Sequence, residues 1–184
     1  MNKQLFIREL NQPFSYSEET ITQISDMVQR FIDGRWDHQS LRGLSLLPNI
    51  MEENNELIAA LTEKSPSKIS ILEELADVYL STFYLTNIFP AKNTPLRGIG
   101  TVKSLPDMRS QINQLAICSM SISKLYRAYQ KEQPINRMEI TTLTETIGRI
   151  VTSVAADFNI SLFDIYHACL IKMCRECKRM ENEV

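Results

Sequence analysis

Apolar residues recur every three or four positions along most of the chain, which is the spacing of one face of an α-helix. A first helix is predicted between Ser17, a favourable N-cap residue, and Gly34. Asn159 and Ser161 predict a tight turn between the last two helices. Alternating patterns typical of strands are weak, so the expected fold class is all-α, a helical bundle. The same spacing predicts five further helices, at about residues 45–63, 67–88, 107–131, 138–158 and 161–180.

Breaks in the helical pattern divide the chain into two similar halves. The longest break is residues 89–106, which contains three prolines and two glycines. We expect a single all-α domain over residues 1–184, in which this connecting loop joins residues 17–88 to residues 107–180.

Composition narrows the class of protein. The 184 residues are 43% hydrophobic and 23% charged, with a formal net charge of −2. This charge gives no electrostatic footprint for nucleic acid, and no apolar run is long enough to span a membrane. The N-terminal run MNKQLFIREL lacks the apolar core of a secretion signal. We therefore expect a cytoplasmic protein that binds neither nucleic acid nor membranes.

Four carboxylates stand at helical spacing in two of the predicted helices. Glu53 and Glu56 lie three residues apart in the run MEENNEL. Glu74 and Asp77 have the same spacing in the run ILEELADV. Residues three apart share one face of a helix, so four acidic groups converge if the two helices pack together. Such a cluster is costly unless a cation lies within it. Mg²⁺, which prefers oxygen ligands, is the expected cation, with Mn²⁺ as an alternative.

A simpler interpretation is that these acids form the solvent-exposed faces of two helices, as charged residues usually do. Leu57, Leu72 and Leu75 lie beside the acids in the sequence and indicate that a packed surface is close. That proximity favours a metal site over simple exposure.

The second half of the chain repeats the helix pair but lacks most of the acids. Residues 143–154 align with the segment that starts at Leu72, and residues 121–130 align with the segment that starts at Glu53. Either an internal duplication or the shared helical period explains the similarity. In both cases we expect one acidic cluster per chain. The positions that correspond to the four acids are Ser121, Lys124, Glu145 and Gly148.

The acidic segments resemble a known family. The stretch RWDHQSLRGLSLLPNIMEENNELIAAL, followed by ISILEELADVYLSTFYL, is similar to the all-α nucleoside triphosphate pyrophosphohydrolases, which include MazG-like proteins and dimeric dUTPases. The E-x-x-E motif of that family falls on Glu53 and Glu56. Its E-x-x-D motif falls on Glu74 and Asp77.

The C-terminal run FNISLFDIYHACLIKMCRECKR resembles the last helix of the same family. The basic positions of that helix fall on Lys172 and Arg179, whereas Glu176 stands where the family usually has Asn. The loop and the second helix pair are departures from a minimal family member. They suggest a pseudo-dimer, which is compatible either with a monomer or with a further homodimer.

The resemblance implies a Mg²⁺-dependent enzyme that hydrolyses an NTP or a dNTP to a monophosphate and pyrophosphate, in order to remove surplus or non-standard nucleotides. The four acids would bind the metal and act in catalysis, while Lys172 and Arg179 would contact the substrate. Glu52 or Glu73, which are outer neighbours of the acids, could orient the attacking water. The alternative is a catalytically inactive helical module for nucleotide sensing or protein interaction.

Other residues offer weaker candidates. Trp36 could stack on a nucleobase, but an apolar anchor between helices is an equal alternative. Asp37 and His38 lie beside it and could contact base or sugar, but simple solvent exposure is favoured for a lone His in a linker. Simple solvent exposure is favoured for the basic residues that could reach phosphates, Lys68, Lys92, Arg97 and Lys103.

The C-terminal helix also carries a group of potential zinc ligands, His167, Cys169, Cys174 and Cys177. A Cys/His metal-dependent regulator is therefore a third hypothesis. No second C-x-x-C motif and no βαβ pattern accompany the group, so reduced thiols on one helix are favoured.

Overall fold

The computed structural model describes residues 8–12, 19–20, 22–24, 26–28, 46–88 and 106–182. About 85% of the structure is helical and none of the described residues lies in a strand, which confirms the all-α prediction. The described residues between 19 and 28 are helical, as predicted for the first helix, and the connecting loop lies outside the described residues up to position 105. Five helices are described in full: α1 (Leu46–Thr62), α2 (Lys68–Ile88), α3 (Met108–Gln130), α4 (Arg137–Asp157) and α5 (Leu162–Asn182).

Local side-chain chemistry accounts for the starts of the last three helices. Asp107 caps α3 and Asn136 caps α4, each by accepting a hydrogen bond from a backbone N–H of the first turn. Ser161 and Asp164 form a reciprocal cap before α5, with N–H···O distances of 3.0 and 3.1 Å. Asn159 has a φ of 51°, a left-handed conformation that Asn tolerates well. The tight turn predicted between α4 and α5 is confirmed.

Four of the helices form a closed ring of contacts. α1 packs against α2 and α3 against α4, while α1 also packs on α3 and α2 on α4. Buried apolar residues from all four helices belong to one core, in which the rings of Tyr79 and Phe83 meet edge to face at 5.3 Å. α5 packs on α2, outside this ring. Corresponding helices of the two predicted halves therefore lie side by side, although the duplication itself stays a prediction.

Within the described part of the chain, no single helix is both long and apolar enough to cross a membrane. Only α4 and α5 taken together, across a bend of 115°, have the length and composition that a span requires.

Candidate metal centre

The glutamates of α1 and α2 converge in the middle of the helix pair. Carboxylate oxygens of Glu53, Glu56 and Glu74 lie within 4.8 Å of one another. The packing of each helix fixes the direction of these side chains, because the neighbouring Leu57 and Leu75 are fully buried in the core. The three-residue spacing then brings the acids to the face where α1 meets α2.

Burial and mutual repulsion make the ionised cluster unstable on its own. Burial, followed by the charge of Asp77, raises the pKa of Glu53 from 4.5 to about 8. The same two causes raise the pKa of Glu74 to about 7. The Oε2 atom of Glu74 is buried and has no hydrogen-bond partner in the described part of the chain. These oxygens are the ligands that a hard divalent cation prefers, and an ion there would offset the repulsion.

Asp77, the fourth predicted acid, behaves differently from the three glutamates. Its carboxylate pairs with the ammonium of Lys172 on α5, and both side chains are largely buried. Burial raises the pKa of Asp77, and the nearby Lys172 charge opposes that rise. Among the described residues, the group able to hold a metal therefore consists of the three glutamates, with Asp77 beside it.

The acidic cluster lines a cavity of about 720 Å³ between α1, α2 and α5. We call this cavity the acidic cleft. All four predicted acids line it, and so do Lys172 and Arg179, the two basic residues predicted in the C-terminal helix. The remaining lining residues are Leu46, Asn49, Glu73, Leu80, Tyr84, Met173, Arg175 and Glu176.

Some of these lining residues were not predicted as functional. Arg175 stands one helical turn after Lys172, and Tyr84 stands two turns after Asp77, so each shares a face with a predicted residue. Helical spacing could therefore have suggested both of them. Asn49 shares a face of α1 with Glu53, which lies four residues later, so the same spacing could have suggested it.

Every basic side chain of the acidic cleft is paired with a carboxylate. Lys172 pairs with Asp77, as described above. Arg179 pairs with Glu176 on the same helix at 2.6 Å. Arg175 pairs with Glu9 of the N-terminal turn, also at 2.6 Å. The α5 wall of the cleft thus presents cations whose charges are already neutralised.

Other predicted residues lie away from the acidic cleft or outside the described residues. Lys68 donates a hydrogen bond of 2.6 Å to the carbonyl of Asn159, at the start of α2, and does not line the cleft. Glu52 is exposed and does not line it either, whereas Glu73 does. The positions outside the described residues are Trp36, Asp37, His38, Lys92, Arg97 and Lys103.

The C-terminal thiols point to separate neighbours. The buried Sγ of Cys169 lies 3.5 Å from the carbonyl oxygen of Ala76, and the Sγ of Cys174 lies 4.0 Å from the sulfur of Met27. The Cys177 side chain lies outside the described part of the structure. Among the described residues, no group that combines His167 with cysteines offers a metal site. The zinc hypothesis gains no support from this arrangement.

Comparisons of the chain with protein-family models, with curated proteins and with solved structures found no match. The acidic cleft is therefore the basis for a functional assignment.

Proposed function

We propose that this chain is a Mg²⁺-dependent nucleoside triphosphate pyrophosphohydrolase, which converts an NTP or a dNTP to a monophosphate and pyrophosphate. One observation carries the proposal: Glu53, Glu56 and Glu74 converge within 4.8 Å in a cleft that basic side chains of α5 also line. The resemblance of the acidic motifs to the all-α pyrophosphohydrolases points to the same chemistry. Removal of surplus or non-standard nucleotides is the role that we infer for it.

The residues present fit a hard divalent ion. Glu53, Glu56 and Glu74 would hold it, because their oxygens already converge and the buried Oε2 of Glu74 has no hydrogen-bond partner among the described residues. Asp77 is a fourth candidate ligand once its pair with Lys172 is given up. When bound, the ion would neutralise phosphate oxygens and stabilise the charge that develops as the anhydride breaks.

The charge of the cleft supports a requirement for metal. Among the described residues, six acidic side chains line the cleft against three basic ones, so a polyphosphate meets a net negative charge on these walls when no cation is bound. Repulsion of this kind would keep free nucleotide out, whereas a nucleotide bound together with Mg²⁺ would be accepted. We therefore expect nucleotide affinity and turnover to depend on the same ion.

Particular side chains of the cleft suit the remaining tasks. Lys172 and Arg179 would bind phosphate oxygens, for which ammonium and guanidinium groups are the usual partners. Glu73 would accept a proton from the attacking water, because it lines the cleft and lies outside the group of three glutamates. The water oxygen would then form a bond to the α phosphorus as the bond from that phosphorus to the α,β-bridging oxygen breaks. Pyrophosphate would leave with the bridging oxygen and the electron pair of the broken bond.

A second candidate is a nucleotide-sensing module without turnover. One observation favours it: the fourth acid, Asp77, is neutralised by Lys172 instead of joining the three glutamates. A protein that binds Mg²⁺ and nucleotide but cannot complete the four-acid site would bind without releasing product. Calorimetry with Mg²⁺ and each nucleotide, beside an activity assay, separates the two candidates.

The direct test is a screen for pyrophosphate release from a panel of NTPs and dNTPs in the presence of Mg²⁺. Wild-type protein should release pyrophosphate from at least one of them, and Glu53→Gln should not. Glu145→Gln is the matched control, because Glu145 is an exposed acid on α4, outside the acidic cleft. No release from any triphosphate, or equal release from Glu53→Gln, would overturn the proposal.

A further inference from the structure

The α5 wall of the acidic cleft carries basic residues on successive turns. Lys172, Arg175 and Arg179 all line the cleft. Helical rise places Arg175 about 4.5 Å beyond Lys172 along the helix axis, and Arg179 about 10.5 Å beyond it. Arg175 therefore stands between the two basic residues to which the proposed function assigns phosphate contacts.

Arg175 differs from Lys172 and Arg179 because its carboxylate partner belongs to a distant segment of the chain. Lys172 and Arg179 pair with acids of the cleft itself. The Nη2 atom of Arg175 donates at 2.6 Å to Glu9, which belongs to the N-terminal turn and lies 166 positions away in the chain. Both side chains are partly buried, with exposed fractions of 22% for Arg175 and 34% for Glu9. A remote segment thus places its carboxylate against a residue that lines the cleft.

The N-terminal turn is held in place by few contacts among the described residues. Its other hydrogen bonds are local: Gln12 donates to the carbonyls of Glu9 and Arg8, at 3.0 and 3.5 Å. Leu10 is partly buried against the core. Among the described residues, the pair between Glu9 and Arg175 links this turn to α5, and the partial exposure of both side chains lowers the cost of exchanging it.

We propose that Arg175 is an additional phosphate-binding residue of the acidic cleft, and that Glu9 occupies its guanidinium until a polyphosphate chain takes its place. This inference rests on the proposed function, because it requires that the cleft binds a polyphosphate chain. A polyphosphate carries more charge than a carboxylate and, like a carboxylate, can accept two parallel N–H bonds from a guanidinium, so it competes well for Arg175. Glu9 loses little when displaced, because its carboxylate is already partly exposed to water.

The test measures the affinity for inorganic tripolyphosphate in the presence of Mg²⁺ by calorimetry, for wild type, Glu9→Gln, Arg175→Gln and the double variant. Glu9→Gln keeps the side-chain shape and removes the competing charge. It should tighten binding by about two- to fivefold, the range expected for a weak ion pair. Arg175→Gln should weaken binding by about tenfold, and Glu9→Gln should then have no further effect. The matched control is Glu19→Gln, an exposed acid of the N-terminal helical segment, which should bind as wild type does.

Two further arms make the result decisive. α,β-Imido deoxynucleoside triphosphates with each base should show the same coupling as tripolyphosphate. Because tripolyphosphate has neither base nor sugar, the coupling measured with it belongs to the phosphates. Hydrogen exchange of residues 8–12 in the wild-type protein should accelerate at saturating tripolyphosphate, a readout that requires no variant to fold.

The inference is overturned if Glu9→Gln binds no more tightly than wild type, or if its effect persists in the Arg175→Gln background. Absence of tripolyphosphate binding to wild type and Glu9→Gln overturns it as well. Its failure is distinct from failure of the proposed function. Coupling without pyrophosphate release from any nucleotide refutes the enzyme and leaves the Arg175 site standing, whereas turnover without coupling refutes the Arg175 site alone.

Discussion

The two helix pairs share a core and differ in the clefts that they form. Between α1, α2 and the adjoining α5 the chain builds the acidic cleft. Between α3 and α4 it builds a smaller cavity of about 480 Å³, which we call the second cleft. Ser121 and Lys124, which align with Glu53 and Glu56, line the second cleft, whereas Glu145, the one acid retained in the alignment, is exposed and does not line it.

The comparison teaches that core packing and cleft chemistry are set by different residues of the same helices. Leu57 on α1 and its aligned partner Leu125 on α3 are both buried in the common core. The cleft positions are free to change, because they face solvent or a cavity and contribute little to the core. Without clustered acids the second cleft has no repulsion to relieve. We therefore place the proposed metal site in the first half alone.

The largest expected effect is a difference in activity between variants of the two halves. Glu74→Gln should lower pyrophosphate release by on the order of 100-fold or more, since charge stabilisation by a bound metal is worth several kcal/mol. Glu145→Gln, the aligned change in the second half, should leave the rate within about twofold. Steady-state rates at saturating Mg²⁺ test the pair. Similar losses in both variants would remove the distinction between the halves.

The next effect tests whether the halves share one core. Leu57→Ala and Leu125→Ala should each lower the free energy of unfolding by about 2–5 kcal/mol, the usual cost of emptying a buried leucine site. Because both side chains belong to one core, each variant should unfold in a single transition. Urea denaturation followed by circular dichroism measures this. Two transitions, with Leu125→Ala moving only one of them, would argue for independent halves.

A smaller effect concerns the ion pair of the acidic cleft. Lys172→Met removes the partner of a largely buried Asp77. It should lower the free energy of unfolding by about 1–3 kcal/mol at neutral pH, which is less than for a fully buried pair because both side chains keep some contact with water. Added Mg²⁺ should recover part of that loss, because a cation again faces the acids. Lys124→Met, in the second cleft, should change stability by less than about 0.5 kcal/mol. Thermal melts with EDTA and with Mg²⁺ compare the two, and equal costs would contradict the assignment.

The smallest expected effect is the pH dependence of the metal-free protein. The pKa values of Glu53 and Glu74 are raised to about 8 and about 7, so the folded protein retains protons that the unfolded chain has released. Their contribution to stability is full below pH 4.5 and is lost as the pH rises through 7 and 8. The melting temperature in EDTA should therefore fall by a few degrees between about pH 5 and pH 8.5.

Controls locate that pH effect in the acidic cleft. Glu53→Gln should flatten the pH profile, whereas Glu145→Gln should keep it. Mg²⁺ should oppose the fall at high pH, because it favours the ionised carboxylates. A wild-type melting temperature that rises from pH 5 to pH 8.5 in EDTA would contradict the raised pKa values.

The sequence predicted most of the helices and the acidic face of α1 and α2, because both follow from a regular period along one segment. Glu53 and Glu56 point the same way as soon as the helix forms, and Leu57 fixes which way that is. Partners across the fold were not predictable. Nothing in the local pattern links Asp77 to Lys172, which lies 95 positions later, because that pair depends on how α5 packs on α2.

The correspondence between the halves shows the same limit. Ser121 and Lys124, which align with Glu53 and Glu56, line the second cleft. Glu145, which aligns with Glu74, is instead exposed on α4 and does not line it. A small rotation of one helix moves a residue from a cavity wall to the surface, and the hydrophobic pattern does not specify a rotation of that size.

The most direct test of one metal site per chain is a Mn²⁺ titration of EDTA-treated protein followed by electron paramagnetic resonance. We predict saturable Mn²⁺ binding to the wild-type protein, loss of that binding in Glu74→Gln, and full retention in Glu145→Gln. Absence of saturable binding, or binding that Glu74→Gln leaves unchanged, would contradict the assignment of the metal centre to the acidic cleft.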